Sequence, residues 1–170
     1  DNFIQVRLTN NTIYNETYYY VNGKLIAKED DLGNKQFYHG DHLGSTSLIT
    51  DINGNIVENS FYEPFGQIIE GGKASRYDYT GKEFDSQTQD YDYNARRYNP
   101  NWGKFIQPDS KLFSIYNPQQ FNRYSYTLNN PFKYTDPTGH IPAKDQMGDV
   151  DEVYEYIKSV DWFHQGLAEV

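Results

Sequence analysis

"YYYVNGKLIAKEDDLGNKQFYHGDHLGSTSLITDINGNIVENSFYEPFGQI", residues 18–68, decides the fold. Glycines punctuate it at 23, 33, 44, 54 and 66, at intervals of 10, 11, 10 and 12. Between them lie short runs: "TYYYV", "KLIAKE", "KQFYH", "TSLITD" and "NIVENSFY". Several alternate apolar and polar residues, and a period of two is what a half-buried strand shows. The linkers "VNGK", "DLGN" and "DINGN" read as hairpin turns, because Asn-Gly tolerates the positive φ that a type I′ turn needs at both central positions. The unit is two strands per roughly 21 residues, a fixed period that marks an array whose units bury their faces on their neighbours.

Outside this stretch the composition sets limits. The chain has 170 residues, 17 of them Tyr and 10 Phe, with few aliphatic residues to fill a core. Its core is therefore expected to be built of aromatic rings whose polar tips need partners. A net charge of −9 and a pI near 4.8 disfavour a nucleic-acid surface. With no cysteine, disulfides, thiolate catalysis and thiolate zinc sites are excluded. No segment approaches the roughly 18–20 apolar residues of a membrane helix. The start, "DNFIQVRLTN", lacks the basic and apolar regions of a signal peptide; if the protein is exported, its signal is expected upstream of this chain. "NNT" at Asn10 and "NET" at Asn15 fit the glycosylation pattern, which an Asn-rich chain also meets by chance.

Residues 18–68 resemble the last tyrosine/aspartate repeats of the Rhs/YD-repeat proteins. "YTGKEFDSQTQDYDYNARRYNPNWGKFIQPDS" and then "NRYSYTLNNPFKYTDPTGH" resemble their Rhs repeat-associated core domain. The match runs from about Tyr18 to His140, with several motifs in the family's order. The resemblance implies a mainly β fold: an antiparallel strip of hairpins forming part of a β-shell. It divides the chain into YD-type hairpin repeats over 1–72, a core domain over 73–140 and a variable tail over 141–170. In that family the strip spirals into a hollow shell, the core domain closes one end, and the segment after "DPxG" is usually a toxin released by self-cleavage. The same architecture occurs in insecticidal Tc-toxin components and, without a toxin, in the teneurins. An extracellular or cell-surface location follows from the resemblance.

The family's cleavage resembles aspartic-protease chemistry, with two carboxylates acting on a bond just after "DPxG". By motif these fall on Asp109 of "GKFIQPDS" and Asp136 of "TDPTG", with the cleavage site at Gly139, His140 and Ile141. Such a pair must be close enough to share a proton, so that one group protonates the departing amine while the other activates water. Where His140 stands the family often has Leu or Trp. Without the family context, "DPTG" is an ordinary type I turn with Pro at its second position.

Other motifs read as structural. "DINGN" at 51–55 lacks the further acidic ligands and closing Glu of a calcium loop. His39, Asp41 and His42 lie close in sequence, but residues 39 and 42 share no strand face and no third ligand is evident. "RRY" at Arg96–Tyr98, beside "DYDY", suggests ion pairs or cation–π contacts within the fold. Neither a cofactor nor a metal is expected. In the tail, Val150, Val153, Tyr154, Ile157 and Val160 or Asp161 form one helical stripe, with Asp149 as N-cap and Glu152 at the third position. Trp162, Phe163 and Gly166 end this short C-terminal helix. About 30 residues cannot house an ordinary enzyme site.

Three function classes follow. The first is the closing end of an Rhs-type shell, with a single-turnover self-cleavage as its activity. The second is a surface module in which the aromatic strip binds a glycan or protein. The third, a toxin enzyme, lacks a catalytic constellation after Gly139. Expected partners are an upstream YD-repeat shell of the same or another polypeptide, with residues 1–20 continuing or pairing with β-structure from other polypeptide, a C-terminal cargo or partner protein, and a cell-surface glycan.

Overall fold

The computed structural model describes residues 2–9, 12–111, 121–140 and 143–144. The expected helix near 149–160, Asn10 and Ile141 lie outside the described residues. The chain divides into two compact units, Asp1–Phe84 and Asp85–Val170.

The first unit is a strip of consecutive antiparallel hairpins. Its strands are β1 (Asn2–Thr9), β2 (Thr12–Val21), β3 (Lys24–Asp30), β4 (Lys35–Gly40), β5 (Thr46–Asp51) and β6 (Ile56–Asn59). Their order in the sheet is their order in the chain. The expected run "NIVENSFY" breaks at Ser60, where the amide turns to the Ser47 carbonyl. Its second part is β7 (Phe61–Tyr62), which pairs with β8 (Ile68–Glu70) in a separate two-stranded sheet. The N-terminal segment is itself β: β1 pairs with β2 from Asn2↔Tyr19 to Thr9↔Thr12.

The register places Tyr18, Lys28 and Gln36 on one face, with Tyr38, Ile49 and Glu58 beside them. Residues 73–79 lie over this face. The Glu58 carboxylate accepts from the Lys73 and Ala74 amides, and Lys28 Nζ donates to the Ala74 carbonyl at 3.0 Å. Tyr77 stands edge-on to Tyr18 at 5.4 Å between ring centroids. Tyr18 and Ile49 are fully buried as a result. The aromatic core does need polar partners: the Tyr18 hydroxyl donates to Glu16, Tyr62 to the Thr46 carbonyl and Tyr79 to the Pro64 carbonyl.

The turns are of two kinds. "VNGK" is the two-residue turn the sequence predicts, with Val21 opposite Lys24 and φ of 50° at Asn22 and 73° at Gly23. "DLGN" and "DINGN" are not: only the glycine, Gly33 or Gly54, takes the positive φ. Here an acidic residue leads a five-residue loop. Its amide donates to the carbonyl four residues on, and the glycine amide donates back to its carbonyl. The same two bonds recur at Asp30–Asn34, Asp41–Ser45, Asp51–Asn55, Glu63–Gln67 and Asp78–Lys82. The physical reason is the aspartate. At Asp30, Asp41 and Asp51 the carboxylate accepts from the amides two and four residues ahead, which stabilises a type I path ending in a left-handed glycine.

In the second unit the strands are very short: β9 (Glu83–Asp85), β10 (Asp90–Asp92), β11 (Arg97–Asn99) and β12 (Lys104–Phe105), in sheet order β12-β11-β10-β9. The unit boundary falls within β9. Short ladders supply few backbone bonds, so the aromatic core carries more of the packing. Tyr91, Tyr93, Tyr98 and Tyr126 are fully buried and Phe105 nearly so. Tyr98 and Tyr126 lie 4.4 Å apart between centroids, and the hydroxyls of Tyr93 and Tyr126 bond at 3.0 Å. Last, β13 (Tyr134–Thr135) pairs with β14 (Ala143–Lys144) through Tyr134↔Lys144 and Thr135↔Ala143.

Candidate functional site

Asp136 opens the "DPTG" turn after β13. Its Oδ1 accepts from the amides of Thr138 at 3.2 Å, Gly139 at 2.8 Å and His140 at 3.0 Å. Gly139 has φ 77°, and a Cβ built there would lie 2.4 Å from the Tyr93 carbonyl oxygen. Any larger residue would push the turn off the loop after β10, where the Thr138 carbonyl accepts from the Ala95 amide. Asp109 follows β12. Its own amide donates to the Arg123 carbonyl at 2.8 Å, and Arg123 Nε donates back to its carbonyl at 2.6 Å.

The two aspartates meet at Arg96, between β10 and β11. Arg96 Nη2 lies 3.0 Å from Asp109 Oδ2 and 3.3 Å from Asp136 Oδ2. Its Nε donates to the Gly139 carbonyl and its Nη1 to the Arg123 carbonyl at 3.0 Å. The guanidinium lies 3.5 Å over the Phe105 ring. All three side chains are buried: Arg96 is 6% exposed, Asp109 6% and Asp136 1%. His140 reaches the same cluster, with Nδ1 2.9 Å from Asp109 Oδ1. Lys111 gives that oxygen a second donor, its amide, at 2.8 Å.

The electrostatics follow from burial. Loss of hydration pushes the Asp136 carboxyl up from its ordinary value, opposed first by Arg96 and then by the three amides. Burial pushes the Arg96 guanidinium down, opposed by Asp109 and then Asp136. A carboxyl that resists ionisation, Asp136, thus shares one cationic nitrogen with the Asp109 carboxyl. The arrangement gathers two carboxyls and the Gly139 carbonyl on one guanidinium, and a pair of carboxyls is the set of groups that water-driven scission of a peptide bond can use.

Of the residues singled out in sequence, Asp109, Asp136, Gly139 and His140 come together. The remaining motifs serve the fold. His39 bonds Thr50 at 3.0 Å, while Asp41 and Asp51 cap their own turns. The "DYDY"–"RRY" pairing forms as an ion pair, Arg97 with Asp92 at 3.6 Å, and Arg97 also meets Asp85, before that motif, at 3.1 Å. What sequence reasoning missed is Arg96 as the joint between the aspartates. The "RRY" motif pointed to ion pairs and cation–π contacts, but not to these partners, which are Asp109, Asp136 and Phe105.

A hairpin strip with aspartate-led turns joining β3 to β4, β4 to β5 and β5 to β6, and a Tyr-rich unit after it, defines a YD-repeat fold. A family model described as teneurin YD-shell matches residues 8–132, and the chain belongs to this YD-shell family. Similar proteins include salivary gland surface protein 1 of Aedes aegypti, 36% identical over 115 residues, 64% of this chain and 3% of that protein. The tRNA nuclease WapA of Bacillus subtilis (strain 168) is 33% identical over 111 residues, 62% of this chain and 5% of that protein. In fold, the chain resembles the Tc holotoxin pore of Photorhabdus luminescens. The TM-score is 0.59 at 18% identity, over 86% of this chain and 8% of that one. The chain thus spans a small fraction of the proteins it matches.

Proposed function

We propose that the chain is the closing end of a YD-repeat shell in an exported or cell-surface, toxin-like protein, and that it cuts itself once, between His140 and Ile141. Asp136, whose ionisation is opposed by burial, supplies the proton to the departing amine. Asp109 takes a proton from the attacking water. The hydroxyl of that water bonds to the His140 carbonyl carbon as the peptide bond breaks. Upstream, residues 1–72 continue a longer strip, 73–140 form its core domain, and the chain after 140 is the released or retained partner.

One observation carries this reading: both motif aspartates, far apart in sequence, meet on one arginine nitrogen whose Nε holds the Gly139 carbonyl, one residue before the junction. The test is intact mass of the chain with its residues after 140, incubated across pH 4–8. Cutting should peak at mildly acidic to neutral pH, where one carboxyl is protonated and one ionised. Asp109→Asn and Asp136→Asn should each abolish it and keep the fold, since Asn preserves the shape without exchanging the proton. A wild type that stays whole throughout rejects self-cleavage.

A further inference from the structure

His140 is where this chain departs from the resembled pattern, and the structure gives that residue a partner a leucine could not engage. Its Nδ1 lies 2.9 Å from Asp109 Oδ1, and its side chain is 21% exposed against 8% for Asp109. The same oxygen already accepts the Lys111 amide, and Oδ2 faces Arg96. An ionised carboxylate offers about four lone-pair sites, so three are engaged and the imidazole takes one of them. With Asp109 the acceptor of an amide proton on that oxygen, Nδ1 stands as the donor. A donor on a carboxylate stabilises its charge and weakens it as a base.

We propose that His140 is a latch on the self-cleaving pair: by donating to Asp109 it withdraws the base from the attacking water and slows the cut at its own carbonyl. The proposal rests on the self-cleavage reading above. The latch sits on the residue whose carbonyl is cut, so it bears on a single event, and His140 stays on the fragment that carries Asp109 and Asp136. To Asp136, His140 offers its backbone amide. The imidazole contact is to Asp109, the member assigned as base.

The test compares His140→Leu and His140→Asn with wild type by intact mass against time at pH 7. Leu removes the donor, and Asn keeps an N–H at the Nδ1 position. His140→Leu should be cut roughly tenfold faster than wild type or more, the scale of a hydrogen bond to a charged group. His140→Asn should be cut more slowly than His140→Leu. If His140→Leu is cut at the wild-type rate or more slowly, the latch is wrong and self-cleavage stands. If no form is cut at any pH, both ideas fall together. A cleavage-independent check uses the uncut Asp136→Asn chain. The ¹⁵N shifts of the His140 ring should show a proton on Nδ1 and should change when Asp109→Ala is added. Ring shifts indifferent to Asp109→Ala overturn the latch even where the Leu variant misfolds.

Discussion

Arg96 is the side chain on which most of the second unit's polar core depends. Its guanidinium satisfies Asp109, Asp136, the Gly139 carbonyl and the Arg123 carbonyl while lying on Phe105. A buried ion cluster of this kind adds little net stability when intact, because desolvation offsets the attraction, but losing one member strands the rest. Arg96→Met fills a similar volume and leaves two buried carboxylates without their cation. It should cost about 3–5 kcal/mol, read as a drop in the denaturation midpoint at neutral pH. Part of that loss should return at acidic pH, where protonated carboxyls no longer need the cation. A variant as stable as wild type at pH 7 would mean the cluster is not formed. Arg96 also marks a limit of the sequence. It stands 40 residues from Asp136, and nothing local tells it from Arg97, whose partners lie on neighbouring short strands.

Among the turns, one departs from its own series. Asp30, Asp41 and Asp51 spend their carboxylates on their own loop amides, whereas the Asp78 loop makes the same two backbone bonds without that cap. The Thr80 amide donates instead to Ser45 Oγ at 3.0 Å. The Asp78 carboxyl turns inward, 1% exposed, and neither oxygen has a hydrogen-bond partner among the described residues. Nearby, the Tyr62 hydroxyl donates to the Thr46 carbonyl at 2.7 Å. Burial first, and the charge of Glu58 second, push the Asp78 carboxyl up from 3.8 to about 7. The folded state thus keeps a proton that the unfolded chain has already lost. Stability from this group is full below pH 4, declines as pH rises, and is gone above about 7, an overall change of about 4 kcal/mol at most. Urea unfolding at pH 5 and pH 8 should show wild type losing stability between them, and Asp78→Asn should flatten that difference. An equal pH dependence in Asp78→Asn would refute the buried proton. The turns also show how far patterning reaches. Glycine spacing located every hairpin in residues 18–68, because a left-handed residue is needed wherever such a strand reverses. It did not separate the "VNGK" turn from the aspartate-led ones, since the carboxylate, and not the Asn-Gly pair, chooses between them.

Across the whole molecule, the first unit was legible and the second was not, for one physical reason. Strands of six to ten residues, such as β2 and β5, are long enough for a period of two to show. Ladders of two or three residues, such as β11 and β12, are shorter than the pattern that would reveal them. Their rings at 91, 93, 98, 105 and 126 gather only after the chain has folded, so that unit was readable through family motifs alone. No helix among the described residues is long and apolar enough to cross a membrane. The small ladder of β13 and β14 has a consequence of its own. It joins residues 134–135 to 143–144, and so straddles the junction at 140 with two paired positions. Scission of the peptide bond would not undo it. The severed strand would remain docked until its few backbone bonds, each worth about 1 kcal/mol, frayed together. Cutting and departure would then run on separate clocks: the first irreversible, the second an equilibrium that a partner able to compete for one exposed strand could tip.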